Sequence, residues 1–329
     1  MRAYIIRRIL LIIPTLFILS IIVFLSVRFI PGDAVDVMVG MLVSEEYLGG
    51  AWEIDREALE RMLGLDVPAH VQYGRWIGVL PTPDWLTGES HFKGLLQGSL
   101  GTSLFAQWAV EEKLIGRLPV SIGLGVLSIV IGLVIALPVG IYSAIRQDTA
   151  ADYVGRTAAI IGMATPQFWI AIMGILVFGA LLKWLPTYGR GGPEHFIMPS
   201  VVIAWSIMAG MVRLGRSSML EILDSDYVKF ARVKGLKERL ILWKHALRNA
   251  MIPLLTFSGL SLAGLLNGTI VVEVVFAWPG IGRLLLEGVV RRDIPVVQAT
   301  ILASAFFYIS LSLVVDILYA YVDPRIRVN

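Results

Sequence analysis

The chain has no cysteine among its 329 residues and only 16% charged residues. The first absence excludes a disulfide framework, thiolate metal sites and a cysteine nucleophile. The second, set against 57% hydrophobic residues and a mean hydropathy of +0.76, excludes a disordered chain and argues against a soluble domain. Several catalytic patterns are missing too. There is no phosphate-cradling G-x-x-x-x-G-K-[ST] loop, no H-E-x-x-H, and no G-x-S-x-G. The four histidines, His70, His91, His195 and His245, are scattered along the chain. We expect no catalysis, no metal site and no cofactor in this polypeptide.

What remains is long apolar runs. Six are candidates to cross about 30 Å of hydrocarbon, which takes about 20 residues: roughly 9–29, 118–144, 158–182, 197–212, 252–276 and 298–321, the fourth being the shortest. They are continuous rather than alternating, so a closed barrel does not fit. The first follows Arg7 and Arg8 and reads as a retained signal anchor, because it exceeds the length of a cleavable apolar region. The fold expected is an all-α integral membrane protein with six transmembrane helices.

Charge gives an orientation. With the N-terminus inside, the inner segments hold Arg2, Arg7, Arg8, Arg146, Arg156, the basic cluster from Arg213 to Arg248, Arg325 and Arg327. The segment 31–117 carries six basic against thirteen acidic residues and falls outside. Positive residues gather inside, so both termini read as cytoplasmic, and the basic pI reflects topology rather than nucleic acid. The expected organisation is an N-terminus and first span at 1–30, an external segment at 31–117, and a five-helix core at 118–329 with a cytoplasmic loop at 213–250. The external segment includes an amphipathic pattern at 55–65. Its acidic excess fits either a docking surface or a solvated face.

Within the loop, Asp224, Ser225 and Asp226 are each able to cap a helix. Tyr227, Phe230, Ala231 and Lys234 follow at i, i+3, i+4 and i+7 and share one face. Gly235 is a plausible terminator, and Leu236–Leu247 continues with Leu240, Trp243 and Leu247 on a stripe. Such a helix lies on anionic lipid or docks a cytoplasmic subunit. Within the spans, Thr165-Pro166-Gln167-Phe168 combines a proline kink with polar side chains, and Asn267 is another polar position. Arg28 and Glu273 fall near the outer ends of their helices, where side chains can snorkel, and Asp316 sits deeper.

These motifs occur in an order that resembles a known family. Ile6-Arg7-Arg8-Ile9-Leu10 with Pro14, Pro31-Gly32-Asp33, Leu63-Gly64-Leu65-Asp66 with Gln72-Tyr73 and Trp76, and Gly98-Ser99-Leu100-Gly101-Thr102-Ser103 come first. Asp226-Tyr227, Ala231, Lys234-Gly235-Leu236, His245 through Ala250, and Ile252-Pro253 follow. Phe276 through Gly282, Arg292-Asp293, Pro295 through Gln298 and Asp323-Pro324-Arg325 complete the set. The set is similar to the permease subunits of ABC importers of the dipeptide/oligopeptide/nickel group, and within it to the dipeptide-permease B type. Asn267 and Ser312 depart from the residues usual there.

The resemblance implies an ABC type I importer permease-like bundle. It implies a second homologous permease, two cytoplasmic ATPase subunits that bind ATP and Mg, and an external solute-binding protein, in the inner membrane of a prokaryote. Asp226, Tyr227, Phe230, Ala231, Lys234, Gly235 and Leu236 would form the ATPase-coupling helix. Short peptides are the expected substrate, with nickel chelates, glutathione or oligosaccharides as alternatives. A stand-alone secondary transporter using Asp316 or Glu273 is the competing class, and a non-transporting scaffold is a third.

Overall fold

The computed structural model describes residues 2–28, 57, 60–61, 64–83 and 89–322. Pro31-Gly32-Asp33, most of the amphipathic pattern at 55–65 and Asp323-Pro324-Arg325 lie outside the described residues, as do the side chains of Asn267 and Asp316. The chain packs as two compact units. Met1–Arg8, Val120–Gly282 and Phe307–Asn329 form one, and Ile9–Pro119 with Arg283–Phe306 form the other.

Among the described residues, four helices are long and apolar enough to cross a membrane: Ile6–Arg28, Val110–Ile145, Glu194–Leu223 and Ile294–Val315. The first belongs to helix α1, Arg2–Arg28. Its Ile6, Leu10, Ile13 and Phe17 are all exposed, as suits a lipid-facing surface. Helix α2, Ala69–Ile77, packs on the far end of α1. Tyr73 meets Phe24 edge-on at 5.2 Å, its hydroxyl lies 2.9 Å from the Ser20 hydroxyl, and Arg28 donates to Gln72. Gln72 also donates to the Leu65 and Val67 carbonyls, which ties the preceding turn down.

Helix α3, Val110–Ile145, corresponds to the second predicted span. The third predicted span is not one straight helix. Helix α4, Ala150–Ala164, and helix α5, Gln167–Gly174, whose π-helical continuation reaches Leu181, are bent by 100° at Thr165-Pro166. Pro166 has no N–H and forces the preceding residue out of the helical region, so Thr165 is extended at φ −83°, ψ 125°. The expected kink is therefore a complete break, and the two halves make a broken span or a re-entrant loop.

Helix α6, Glu194–Leu223, is much longer than its predicted apolar run, so residues 213–223 are helix rather than loop. It is the axis of the larger core: Met198, Val202, Ile203, Met211 and Val212 pack with Leu124, Leu254, Val272, Phe276 and Trp278. Helix α7, Asp226–Val233, follows directly. A helical turn at Glu238–Leu240 and a π-helical stretch at Ile241–Ala246 lead into helix α8, Leu247–Gly268. Thr269 separates that helix from α9, Ile270–Val275. Helices α10, Ile281–Arg291, and α11, Ile294–Val322, complete the chain. In the second unit, Val110 and Leu114 pack with Leu284, Val296 and Ala299.

Candidate functional site: an anchored helix with an exposed aromatic ridge

Helix α7 starts at Ser225, which takes the extended cap conformation at φ −69°, ψ 151°. At this cap no side-chain oxygen accepts a bond from the helix's first N–H groups. The Ser225 hydroxyl turns back to the Ile222 carbonyl, and Asp224 pairs with Lys229 at 2.9 Å on an open surface. Asp226 in the first turn still favours the positive end of the helix dipole.

The far end is fixed more firmly. Gly235 has φ +76°, a left-handed conformation that glycine adopts without strain. Its N–H reaches the Arg232 carbonyl at 2.9 Å, and the Leu236 N–H reaches the Ala231 carbonyl at 3.3 Å. This pair of bonds is a Schellman motif, which satisfies carbonyls otherwise left without partners. The expected terminator thus works by backbone conformation. No other residue approaches within 4 Å of where a Gly235 side chain would start, so it is not a close-contact glycine.

One side of α7 is anchored and the other is open. Val228 is fully buried, and the Tyr227 hydroxyl accepts from Asn249 at 2.9 Å. Arg232 forks onto Glu238, with its shortest bond at 2.7 Å, which fixes the turn after the helix. The fork holds the Glu238 carboxyl below the usual range and raises the Arg232 guanidinium. Facing outward, Tyr227 is 43% and Phe230 67% exposed, with Ala231 half-buried between them and Lys234 exposed. In the segment that follows α7, an open groove of about 650 Å³ is lined by Lys237, Arg239, Leu240 and Trp243. The residues expected to form the coupling face therefore lie along the open side of a helix held from behind. Among the described residues no cluster of His, Asp or Glu could hold a metal.

Of the predicted path residues, Thr165, Pro166, Gln167 and Phe168 sit at the break, whereas Asn267 belongs to α8. The Thr165 hydroxyl donates to the Ile161 carbonyl at 2.6 Å, so its donor is used within its own helix. Pro166 and Phe168 are exposed, and Thr165 and Gln167 are half-buried.

Three polar constellations escaped the sequence reading. The first is Asp152, fully buried at the start of α4. Its carboxylate accepts from Arg216 at 2.6 and 2.7 Å, from the Ser143 hydroxyl at 2.6 Å and from the Asp148 amide at 3.1 Å. An acidic residue within a span was the available signal, but the third span read from 158 left Asp152 in a loop. The second is Glu273, which does not snorkel. It is fully buried and accepts from Ser121 at 2.7 Å and Thr269 at 3.0 Å, while the Ile281 N–H reaches Ser121 at 2.9 Å. Gly280 and Gly282 leave the room the carboxylate occupies, since a methyl on Gly280 would lie 2.2 Å from it. Burial won here because the turn of residues 276–282 folds back over the helix end. Trp278 is fully buried against Phe196 at 4.7 Å, and its backbone N–H donates to the Glu273 backbone carbonyl at 2.7 Å. In the second unit, Asp293 likewise accepts from Ser103 at 2.5 Å and from the Leu104 amide at 3.2 Å.

Comparison with known proteins agrees with this architecture. Residues 136–328 match the family described as binding-protein-dependent transport system inner membrane component, and residues 1–125 match its N-terminal counterpart. The chain belongs to this permease family. It is 37% identical over 324 residues to the glutathione transport system permease protein GsiC of Escherichia coli (strain K12), covering 98% of each chain. It is also 37% identical over 341 residues to the oligopeptide transport system permease protein AppB of Bacillus subtilis (strain 168), covering 99% of this chain and all of that one. Over 64% of this chain and 96% of the other, the fold is similar to that of a chain of the MetNI methionine ABC transporter in an inward-facing conformation, with TM-score 0.56 and 16% identity. The protein is thus a multi-pass inner-membrane permease component of an ABC importer, not an enzyme. The first matched segment ends and the second begins within α3.

Proposed function

We propose that this permease imports short peptides, glutathione among them, as one half of a membrane pair driven by two cytoplasmic ATPase subunits that hold ATP and Mg. A solute-binding protein would deliver substrate from outside, and both termini would face the cytoplasm. The full-length similarity to glutathione and oligopeptide permeases supports this substrate class, because glutathione is itself a tripeptide.

The observation that carries the energy-coupling part is the anchored ridge on α7. A helix that transmits force must be stiff behind and sticky in front. Buried Val228, the Tyr227–Asn249 bond and the Arg232–Glu238 fork supply the stiffness. Asp226, Tyr227, Phe230, Ala231, Lys234 and Leu236 supply the contact face, and Gly235 ends it. ATP-driven approach of the ATPase subunits would press on this face and shift the bundle between two states. Thr165, Pro166, Gln167, Phe168 and Asn267 would line the route, with the break at Pro166 as the flexible point.

The test is uptake of a labelled tripeptide and of labelled glutathione in cells with and without this chain. Loss of either uptake on deletion, restored by the parent and not by Phe230→Asp, supports the proposal. Unchanged uptake of both contradicts the substrate class.

A further inference from the structure

We propose that Asp152 and Arg216 are positioning residues whose clamp makes the α3–α4 turn and the end of α6 move as one piece when α7 is displaced. The inference rests on the coupling reading of α7.

The clamp joins three elements at one point. Asp152 opens α4, Ser143 lies near the end of α3, and Arg216 lies seven residues before the end of α6. The guanidinium binds through Nε and Nη2 to the two carboxylate oxygens, at 2.6 and 2.7 Å. Such a fork fixes angle as well as distance. Ser143 and the Asp148 amide bind the same carboxylate, so four donors converge on it.

The surrounding backbone is in near contact. A methyl on Gly140 would lie 3.0 Å from the Val212 carbonyl oxygen and 3.3 Å from the Arg216 amide nitrogen. A methyl on Gly155 would lie 3.1 Å from the Ser143 hydroxyl. Glycine therefore brings α3 against α6, and α4 against α3, on either side of the fork. Apolar layers can slide past one another, but this arrangement cannot shear without breaking charged bonds in a buried site.

The site also lies on the way from α7. Arg216 and α7 are joined by the last turns of α6. Beneath the clamp, Ala144 and Met219 pack with Ala246 and Ala250 from the segment that follows α7. A push on α7 thus reaches the end of α6 by two routes, and the clamp passes it to α3 and α4.

The test uses the complete complex with its ATPase subunits. The chain has no cysteine, so paired labels can be placed on Thr149→Cys and Ser217→Cys, both exposed positions. Their distance is measured by pulsed electron paramagnetic resonance, nucleotide-free and after trapping with ATP and vanadate. The parent distance should be the same in both states. In Asp152→Asn or Arg216→Lys it should shift between states, and labelled tripeptide transported per ATP hydrolysed should fall about tenfold, the scale of one lost charged contact. A parent distance that changes on trapping overturns the clamp, even if neither variant assembles. Variants that keep the fixed distance also overturn it. So does a merely structural loss, in which uptake and hydrolysis fall together and their ratio holds. Failure of the coupling reading shows separately, as absence of a cross-link from Phe230→Cys to the ATPase.

Discussion

Gly280→Ala isolates the packing around Glu273. Gly280 does not need a left-handed backbone, so alanine brings no conformational strain there. The only cost is space: the new methyl would lie 2.2 Å from the Glu273 carboxyl, far inside contact distance. The carboxyl must move by more than 1 Å, yet it is fully buried and held by Ser121 and Thr269. Overpacking of this kind costs about 1–3 kcal/mol. Losing the Ser121 bond costs about another 1–3 kcal/mol, because the buried acceptor is left behind. The expected destabilisation is therefore about 2–6 kcal/mol, read as a lower thermal midpoint of the detergent-solubilised chain. Glu273→Ala removes the obstacle, so adding Gly280→Ala to it should cost far less than in the parent. A Gly280→Ala protein as stable as the parent, or costs that simply add, would refute this account of the turn.

Further outcomes follow from other contacts. Gly235→Ala should destabilise the end of α7 by about 1 kcal/mol and Gly235→Asn by less, because only the left-handed backbone penalises them; amide exchange across 231–236 reads this. The Glu238 carboxyl is held below its ordinary value and Arg232 above its own, so their fork adds stability at neutral pH. That contribution is lost only as pH falls through the lowered carboxyl value. Exchange protection of the turn should therefore be flat from about pH 5 to 8. Both groups are substantially exposed, so Arg232→Gln should change protection by less than about 1 kcal/mol. Asp152→Leu should be severely destabilising, by about 3–5 kcal/mol, because it strands a part-buried guanidinium; a denaturation midpoint close to the parent's would contradict this. Thr165→Val should lower tripeptide uptake only modestly, since the hydroxyl's one donor is used by the Ile161 carbonyl and only its lone pairs are left to face the route; a complete loss of uptake would contradict this.

The mostly helical, span-rich architecture was legible because apolar runs are long-range averages. Helix α7 was legible for a local reason: a capping position, a face at helical spacing and a glycine stand in order. What sequence hid was pairing between distant residues. Asp152 and Arg216 are 64 positions apart, Ser121 and Glu273 are 152 apart, and Ser103 and Asp293 are 190 apart. A carboxylate in such a pair looks the same in sequence as one facing water. Glu273 was placed at a wet helix end because burial there depends on a turn folding back, which no periodicity records. Pro166 announced a disruption, but its size depends on whether the next helix restarts in line, and here it restarts 100° away. The family motifs gain a physical meaning from the structure. Gln72-Tyr73 and Trp76 hold α2 on α1, Arg292-Asp293 binds the loop ending at Ser103, and the turn of residues 276–282 encloses Glu273.

The account's central claim is that α7 is where an ATPase subunit presses on this permease. Because the parent chain lacks cysteine, one Phe230→Cys substitution gives a unique reactive site on the ridge. Short-range cross-linking in native membranes, followed by mass spectrometry of the adduct, reads its neighbour directly. The account predicts a subunit carrying a phosphate-binding loop, attached through that loop's own domain, with cross-linking that changes when ATP and vanadate are added. Cross-linking only to lipid, or to no ATPase in either state, would contradict it.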